Sequence, residues 1–194
     1  MRQWFLAILV LLTGCSSMKI EDFAGSSPAF VPEEYFLGQT KAWGFFQDRF
    51  GTIRREFVVT IDGTMDGDTL VLDEYFEYRD GETDRRVWRI KNTGNGNYEG
   101  RADDIIGVAK GEVKGRAMRW AYEHDLPVGD STWRVTFDDW MFLQDDQVMM
   151  NRSSIFKFGF KLGDVVIYFT RVAEGQDSAG IGQPSFAELQ TAAE

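Results

Sequence analysis

Apolar side chains recur at every second position through most of this chain, a spacing that commits it to antiparallel sheet. Ile53, Phe57, Val59 and Ile61 share one parity with Arg55, while Arg54, Glu56 and Thr60 hold the other. The alternation returns in Leu70, Leu72, Glu74, Phe76 and Tyr78, then in Arg86, Trp88 and Ile90. It returns again in Met118, Trp120, Tyr122 and His124, and in Val165, Ile167, Phe169 and Arg171. Successive side chains of a strand point to opposite faces, so period two marks strands with one face toward a core. Asp66-Gly67, Asp80-Gly81, Asn95-Gly96, Lys114-Gly115 and Gly163-Asp164 fall between these runs, where hairpins need tight turns.

The pattern predicts about ten strands, near 38–49, 53–62, 69–78, 84–92, 97–102, 108–113, 116–124, 131–143, 147–158 and 163–173. No amphipathic helix separates them, which excludes a βαβ architecture. A meander of so many short-turn strands closes on itself, because closure removes exposed edges. The expected fold is all-β, an antiparallel up-and-down β-barrel of lipocalin-like kind over residues 35–173, with a β-sandwich as second choice. A membrane-spanning barrel would need an apolar outer band about 25 Å tall. The outward parity here instead carries Arg54, Glu56, Asp73, Glu77, Arg89 and Lys91.

Ahead of the strands, Arg2 and the apolar run from Trp4 to Leu12 give residues 1–14 the layout of an export signal peptide. The run is far shorter than the roughly eighteen residues a membrane-spanning helix requires. It ends in Leu12-Thr13-Gly14-Cys15, which matches the lipobox of bacterial lipoprotein signals and marks Cys15 for lipidation. Buried methylenes contribute about 0.8 kcal/mol each, so the three acyl chains expected on Cys15 would hold the chain firmly at a membrane. Ser16 follows, not the Asp that retains lipoproteins at the inner membrane. By analogy with Gram-negative sorting, the expected address is the outer membrane, facing the periplasm. Residues 15–34, Ser-rich with Pro28 and Pro32, read as a lipidated tether. Residues 174–194 read as a flexible tail, within which Ser185 and Glu188 fit the capping box of a short helix.

The formal charge of −10 becomes one unit more negative once Arg2 is removed with the leader. So acidic a chain lacks the electrostatic footprint of a nucleic-acid binder. Cys15 is the sole cysteine, so lipidation leaves no thiol for a disulfide, a metal site or a nucleophile. Core burial must then supply the stability, which the sixteen Phe, six Trp and six Tyr suit.

One strand face mixes charge with aromatic residues: Arg55, Glu74, Arg86, His124, Arg152 and Arg171 alternate with Phe57, Phe76, Trp88, Trp120, Tyr122, Phe156 and Phe169. A buried charge is costly unless paired. Either Glu74 with Arg86, and Asp138 or Asp139 with Arg152, are internal ion pairs in a filled core, or these groups form the polar end of a cavity. In the second case an arginine receives a carboxylate or phosphate headgroup. The candidate ligand-binding residues are Glu74, Phe76, Arg86, Trp88, Trp120, Tyr122, Asp139 and Arg152.

Adjacent aspartates on a strand face opposite ways, so Asp138 and Asp139 make a poor metal or acid/base pair. Asp62, Asp66, Asp68 and Asp73 resemble a calcium loop, but the bidentate Glu and flanking helices are missing, and a hairpin explains them better. Asn151-Arg152-Ser153 fits a glycosylation pattern, though mid-strand. His124, the sole histidine, is placed at a strand end before Asp125, with no serine elbow near it. No catalytic residue, metal site or cofactor is assigned.

Several short motifs occur in order: Lys41 to Gly44, Leu72 to Gly81, Arg86 to Trp88, Arg119 to Tyr122, Asp138 to Met141, Asn151-Arg152 and Lys157 to Gly159. With the lipobox, they resemble a family of uncharacterised bacterial envelope lipoproteins, domain of unknown function 3833, over about residues 35–173. The resemblance implies a mainly proteobacterial distribution. It also implies frequent gene neighbours that modify fatty acyl chains, such as cyclopropane-fatty-acid synthases.

The expected function is that of a membrane-anchored periplasmic lipoprotein whose barrel binds a fatty acid or phospholipid in envelope lipid handling. The alternatives are a filled barrel serving as an envelope scaffold, whose protein partner the sequence does not name, and an enzyme acting on lipid or isoprenoid through His124.

Overall fold

The computed structural model describes residues 18–172. Ten antiparallel strands close into one barrel in the order β1-β10-β9-β8-β7-β6-β5-β4-β3-β2, with sequence neighbours paired throughout. They are β1 Gly38–Asp48, β2 Ile53–Asp66, β3 Thr69–Tyr78, β4 Thr83–Gly94, β5 Asn97–Arg101, β6 Ile105–Lys114, β7 Ala117–Val128, β8 Ser131–Leu143, β9 Val148–Lys157 and β10 Phe160–Arg171. Pairing of β1 with β10, from Thr40 opposite Arg171 to Asp48 opposite Gly163, seals the cylinder. The all-β, lipocalin-like expectation holds.

Four of the expected turn dipeptides lie in hairpins, with Gly67, Gly81, Gly96 and Gly115 all at positive φ. Asp62 to Asp66 continues β2 and turns only at Gly67, so the calcium-like segment is strand and hairpin. The fifth dipeptide is different. The chain turns at Phe158 and Gly159, both at positive φ, whereas Gly163 lies inside β10 where its register against β9 shifts. A Cβ on Gly163 would collide with Gln47 and Phe46 of β1, so this glycine serves a close backbone approach. Strand β7 also runs beyond its expected end, through Leu126 and Pro127, which places His124 inside a strand.

The up-and-down order divides the turns between two ends. Residues 49–52, 79–82, 102–104, 129–130 and 158–159 turn at one end; residues 67–68, 95–96, 115–116 and 144–147 turn at the other. The second end is closed by the segment before β1. Phe30, Tyr35 and Phe36 are buried in the main core, and Tyr35 follows Pro32 on the short helix α1, Pro32–Tyr35. Phe36 meets both Tyr35 and Phe169 edge-on. A backbone bond from Phe30 N–H to Gly115 O (2.8 Å) and a side-chain bond from Tyr98 Oη to Glu33 (3.0 Å) pin the plug in place. A 3-10 turn, Ile20–Phe23, packs on the outer wall against Ala117, Trp140 and Phe142.

Much of the span expected to act as a tether, 15–34, is therefore packed onto the barrel from Ile20 onward. Ile20 and Phe30 are the buried apolar side chains that hold it there, with Phe23 packed beside Ile20. Cys15, the leader 1–14, Ser16 and the tail 174–194 with Ser185 and Glu188 lie outside the described residues.

Outside, the wall is a lattice of cross-strand ion pairs. Arg85 grips Asp73 (2.7 and 2.6 Å), Arg119 grips Asp138 (2.7 and 3.1 Å) and Arg134 grips Asp125 (3.0 and 3.1 Å). Such exposed pairs contribute about 0–1 kcal/mol each. They sit where a lipid-facing barrel would carry its apolar band.

Candidate functional site

The barrel is hollow. A cavity of about 840 Å³ runs from the Phe36 plug toward the end bearing the 79–82 and 129–130 turns. That volume lies in the range of about 300–1,000 Å³ typical of small-molecule sites. Near the plug its wall is aliphatic and aromatic, with Val59, Ile61, Leu72, Ile90, Met118 and Phe169 among the lining residues.

Aromatic rings shape the middle. Trp88 meets Trp120 edge-on at 5.6 Å between ring centroids and Tyr122 at 5.3 Å, and Tyr122 stacks on Phe137 at 4.9 Å. The indole of Trp120 lies over Gly100 and Gly111, where any Cβ would run into its ring. Two strands thus give up side chains so that one large ring can occupy the space.

The polar residues gather at this level and toward the mouth. Glu74 on β3 stands opposite Arg86 on β4 in the ladder, as alternation required. Arg86 does not rely on Glu74 for a salt bridge, however. Its guanidinium donates to Asp104 in the β5–β6 turn at 2.7 and 2.6 Å. His124 Nδ1 lies 2.7 Å from the Asp104 carbonyl oxygen. A carbonyl only accepts, so Nδ1 carries the proton and donates it. Asp104 therefore ties β4 to β7 through a turn.

Glu74 is enclosed by protein, and the surface it keeps is cavity surface. Burial pushes its carboxyl up to about 7, against the pull of Arg86 and with the help of Asp104 and Asp139. Asp139 on β8 is 5% exposed. Burial pushes it up to about 7 as well, with the nearby Ser153 hydroxyl and Arg86 pulling the other way. Burial works against the Arg86 charge, but Tyr122, Glu74 and Asp104 together hold its guanidinium above the ordinary range. Burial also raises the Tyr122 phenol well above its usual value.

Asp139 Oδ1, Asn151 Oδ1 and Ser153 Oγ are buried without any hydrogen-bond partner, and all three residues line the cavity. Asp139 faces Ser153 directly across β8 and β9, and Met141 faces Asn151 one step on. Unsatisfied buried polar atoms are costly, about 1–3 kcal/mol each. Three on one wall of a cavity form a ready polar contact for whatever enters it.

Of the eight residues singled out from sequence, Glu74, Phe76, Arg86, Trp88, Trp120, Tyr122 and Asp139 line this one cavity. Arg152 does not. It is exposed on the outer face of β9, opposite Trp140 and Val166. The inward parity of β9 belongs to Met149, Asn151, Ser153 and Ile155. Neither aspartate pairs with Arg152: Asp138 turns outward to Arg119, and Asp139 turns inward with no arginine bonded to it.

Asn151, Ser153 and Asp104 are site residues that sequence reasoning passed over. Parity would have found the first two once Met149 and Ile155 were taken as the buried set. Asp104 lies in a turn, where no periodicity reaches.

At the mouth, Arg55 forms an ion pair with Glu82 and lies 3.4 Å over the Tyr78 ring. Asp84, Arg85, Asp125, Leu126 and Pro127 complete the rim of the cavity.

The solved structure of the S-type phycobiliprotein lyase CPES from Guillardia theta is similar to this fold, with a TM-score of 0.52 at 12% sequence identity. The match covers 82% of this chain and 95% of that chain, and at such identity it shows a shared lipocalin-like barrel alone. No curated protein matches the sequence. The family model described as protein of unknown function, DUF3833, matches residues 9–171, and the chain belongs to that family.

Proposed function

We propose that this protein is a lipid-anchored envelope lipoprotein whose barrel holds a fatty acid or another lipid. The observation that carries the reading is the cavity itself: about 840 Å³, apolar toward the plug, with Glu74, Arg86 and Asp139 at the level of the tryptophans and toward the mouth. An amphipathic molecule matches that layout. Its chain lies against Leu72, Ile90, Met118 and Phe169, while Phe76, Trp88, Trp120 and Tyr122 surround the point where chain meets head. Arg86, held by Asp104, supplies the cation for an acidic head; Glu74 and Asp139, protonated below about pH 7, donate hydrogen bonds to it, with Ser153 and Asn151 offering the rest. Residues of the barrel bind and position; none is assigned a chemical step. A filled scaffold barrel would not leave this volume.

Cys15 supports the second half of the reading. Acylation there would keep so acidic a domain beside lipid without a general electrostatic attraction, and Ser16 favours the outer membrane's periplasmic face. The experiment is native mass spectrometry on chain 16–194, purified from its host, followed by lipid extraction. The reading expects a discrete mass increment of lipid size that disappears on delipidation. A ligand-free mass, together with no uptake of added fatty acid, would overturn it.

A further inference from the structure

The rim of the open end is chemically two-sided. On one side, the β1–β2 and β9–β10 turns lie side by side, since Asp48 pairs with Gly163 and Arg49 donates to Leu162 O at 2.8 Å. These turns expose the three least covered large apolar side chains among the described residues: Phe158 at 88%, Phe50 at 78% and Phe160 at 72%. Ile53, half exposed, adjoins them. Phe158 holds a positive φ of 52°, a conformation that costs any residue with a Cβ. An exposed phenylalanine there adds nothing to folding that a glycine or asparagine would not supply at lower cost.

Cations accompany the rings. Arg49 lies 4.7 Å from the Phe50 ring centroid, and Lys157 lies 3.5 Å over Trp133 and 5.6 Å from Phe158. Neither cation has a carboxylate at salt-bridge distance among the described residues. Their neighbours Arg54 and Lys161 are neutralised by Asp48 (2.6 Å) and Asp164 (2.7 Å). Across the ring of turns the β5–β6 turn exposes Asp103, while the two turns that flank the lip carry Asp80 and Glu82, both at salt-bridge distance from Arg55, and the exposed Asp130. A chain of net charge −10 thus places unneutralised cations beside its most exposed aromatic residues, at one lip of the mouth.

We propose that this lip, built from Phe50, Phe158 and Phe160 with Arg49 and Lys157, docks on the surface of a bilayer containing anionic phospholipid. Exposed phenylalanine rings gain by burial at the boundary between headgroups and acyl chains, and Lys or Arg beside them meet the phosphates. Asp103, across the ring of turns, is repelled by the same surface, so the barrel tilts and rests on one lip. Phe46, which lines the cavity on β1 and touches Gly163, stands behind that lip. Docking therefore brings the mouth of the cavity against the membrane, whatever molecule the cavity holds.

The test uses chain 16–194, which has no acyl anchor, in sedimentation with vesicles. One set is phosphatidylethanolamine with phosphatidylglycerol at three to one, and the other is phosphatidylcholine alone. The proposal expects binding to the anionic vesicles that weakens with salt, is at least tenfold weaker for phosphatidylcholine, and brings a blue shift of tryptophan emission from Trp133. Replacing all three phenylalanines (Phe50→Ser, Phe158→Ser, Phe160→Ser) should reduce binding at least tenfold without lowering the melting temperature. The charge reversals Arg49→Glu and Lys157→Glu should abolish the preference for anionic vesicles. Asp103→Ser, across the ring of turns, should leave binding intact or raise it. Equal sedimentation of the parent and the triple variant, or none by the parent, would overturn the proposal, including in favour of a protein partner for the lip. Fatty-acid loading from detergent-free solution is scored separately, so failure of the cavity reading and failure of the docking reading give different results.

Discussion

Asp139 stands between Trp120 and Ser153 on neighbouring strands with one carboxyl oxygen unbonded, so its ionisation brings pH into this protein. It and Glu74 are both pushed up to about 7, from ordinary values of 3.8 and 4.5. Between about pH 4 and pH 7 the folded chain keeps protons that the unfolded chain has released. Stability from these two groups is therefore complete below the unfolded values, falls as pH rises through that window, and levels off above about 7. Urea unfolding at a series of pH values should show this slope, and Asp139→Asn should flatten it. The same substitution removes a negative charge from beside Arg86. Fatty-acid affinity at pH 8 should rise about tenfold, equivalent to roughly 1.4 kcal/mol. An unchanged slope and unchanged affinity in Asp139→Asn would remove Asp139 from the site.

Among elements, the plug departs furthest from what its sequence announces. Phe30 and Phe36 are 2% and 6% exposed and close one end of the barrel. Phe36→Ala should cost about 3–5 kcal/mol, the usual range for a buried phenylalanine, and should speed ligand release by opening the closed end. Thermal unfolding and dissociation kinetics check both parts; a residue outside the plug's packing would alter neither. The strands were legible because alternation and Gly-containing turns are local signals, and the charged residues of β3, β4 and β7 came with them by parity. The inward face of β9 was not, because Val148, Met150 and Phe156 make its outer face as apolar as its inner one. With Arg152 on that outer face, parity alone could not choose. The plug was missed because Phe30, Tyr35 and Phe36 are scattered among prolines and have no period, and their partners are distant in sequence.

At the scale of the whole molecule, three properties fit together. The outer wall is charged and cross-linked by ion pairs, the interior is hollow and apolar with one polar level, and one lip of the open end carries exposed rings beside cations. A barrel so arranged is suited to holding an amphipathic molecule close to a membrane. The most direct measurement is tryptophan quenching by a fatty acid brominated in mid-chain, because bromine quenches only rings it touches. Trp88 and Trp120 line the cavity, whereas Trp43, Trp133 and Trp140 do not. Titration of chain 16–194 should give quenching that saturates at one equivalent. It should vanish in the double variant Trp88→Phe, Trp120→Phe while the remaining emission stays constant. Quenching that never saturates, or that persists undiminished in the double variant, would contradict a ligand inside the barrel.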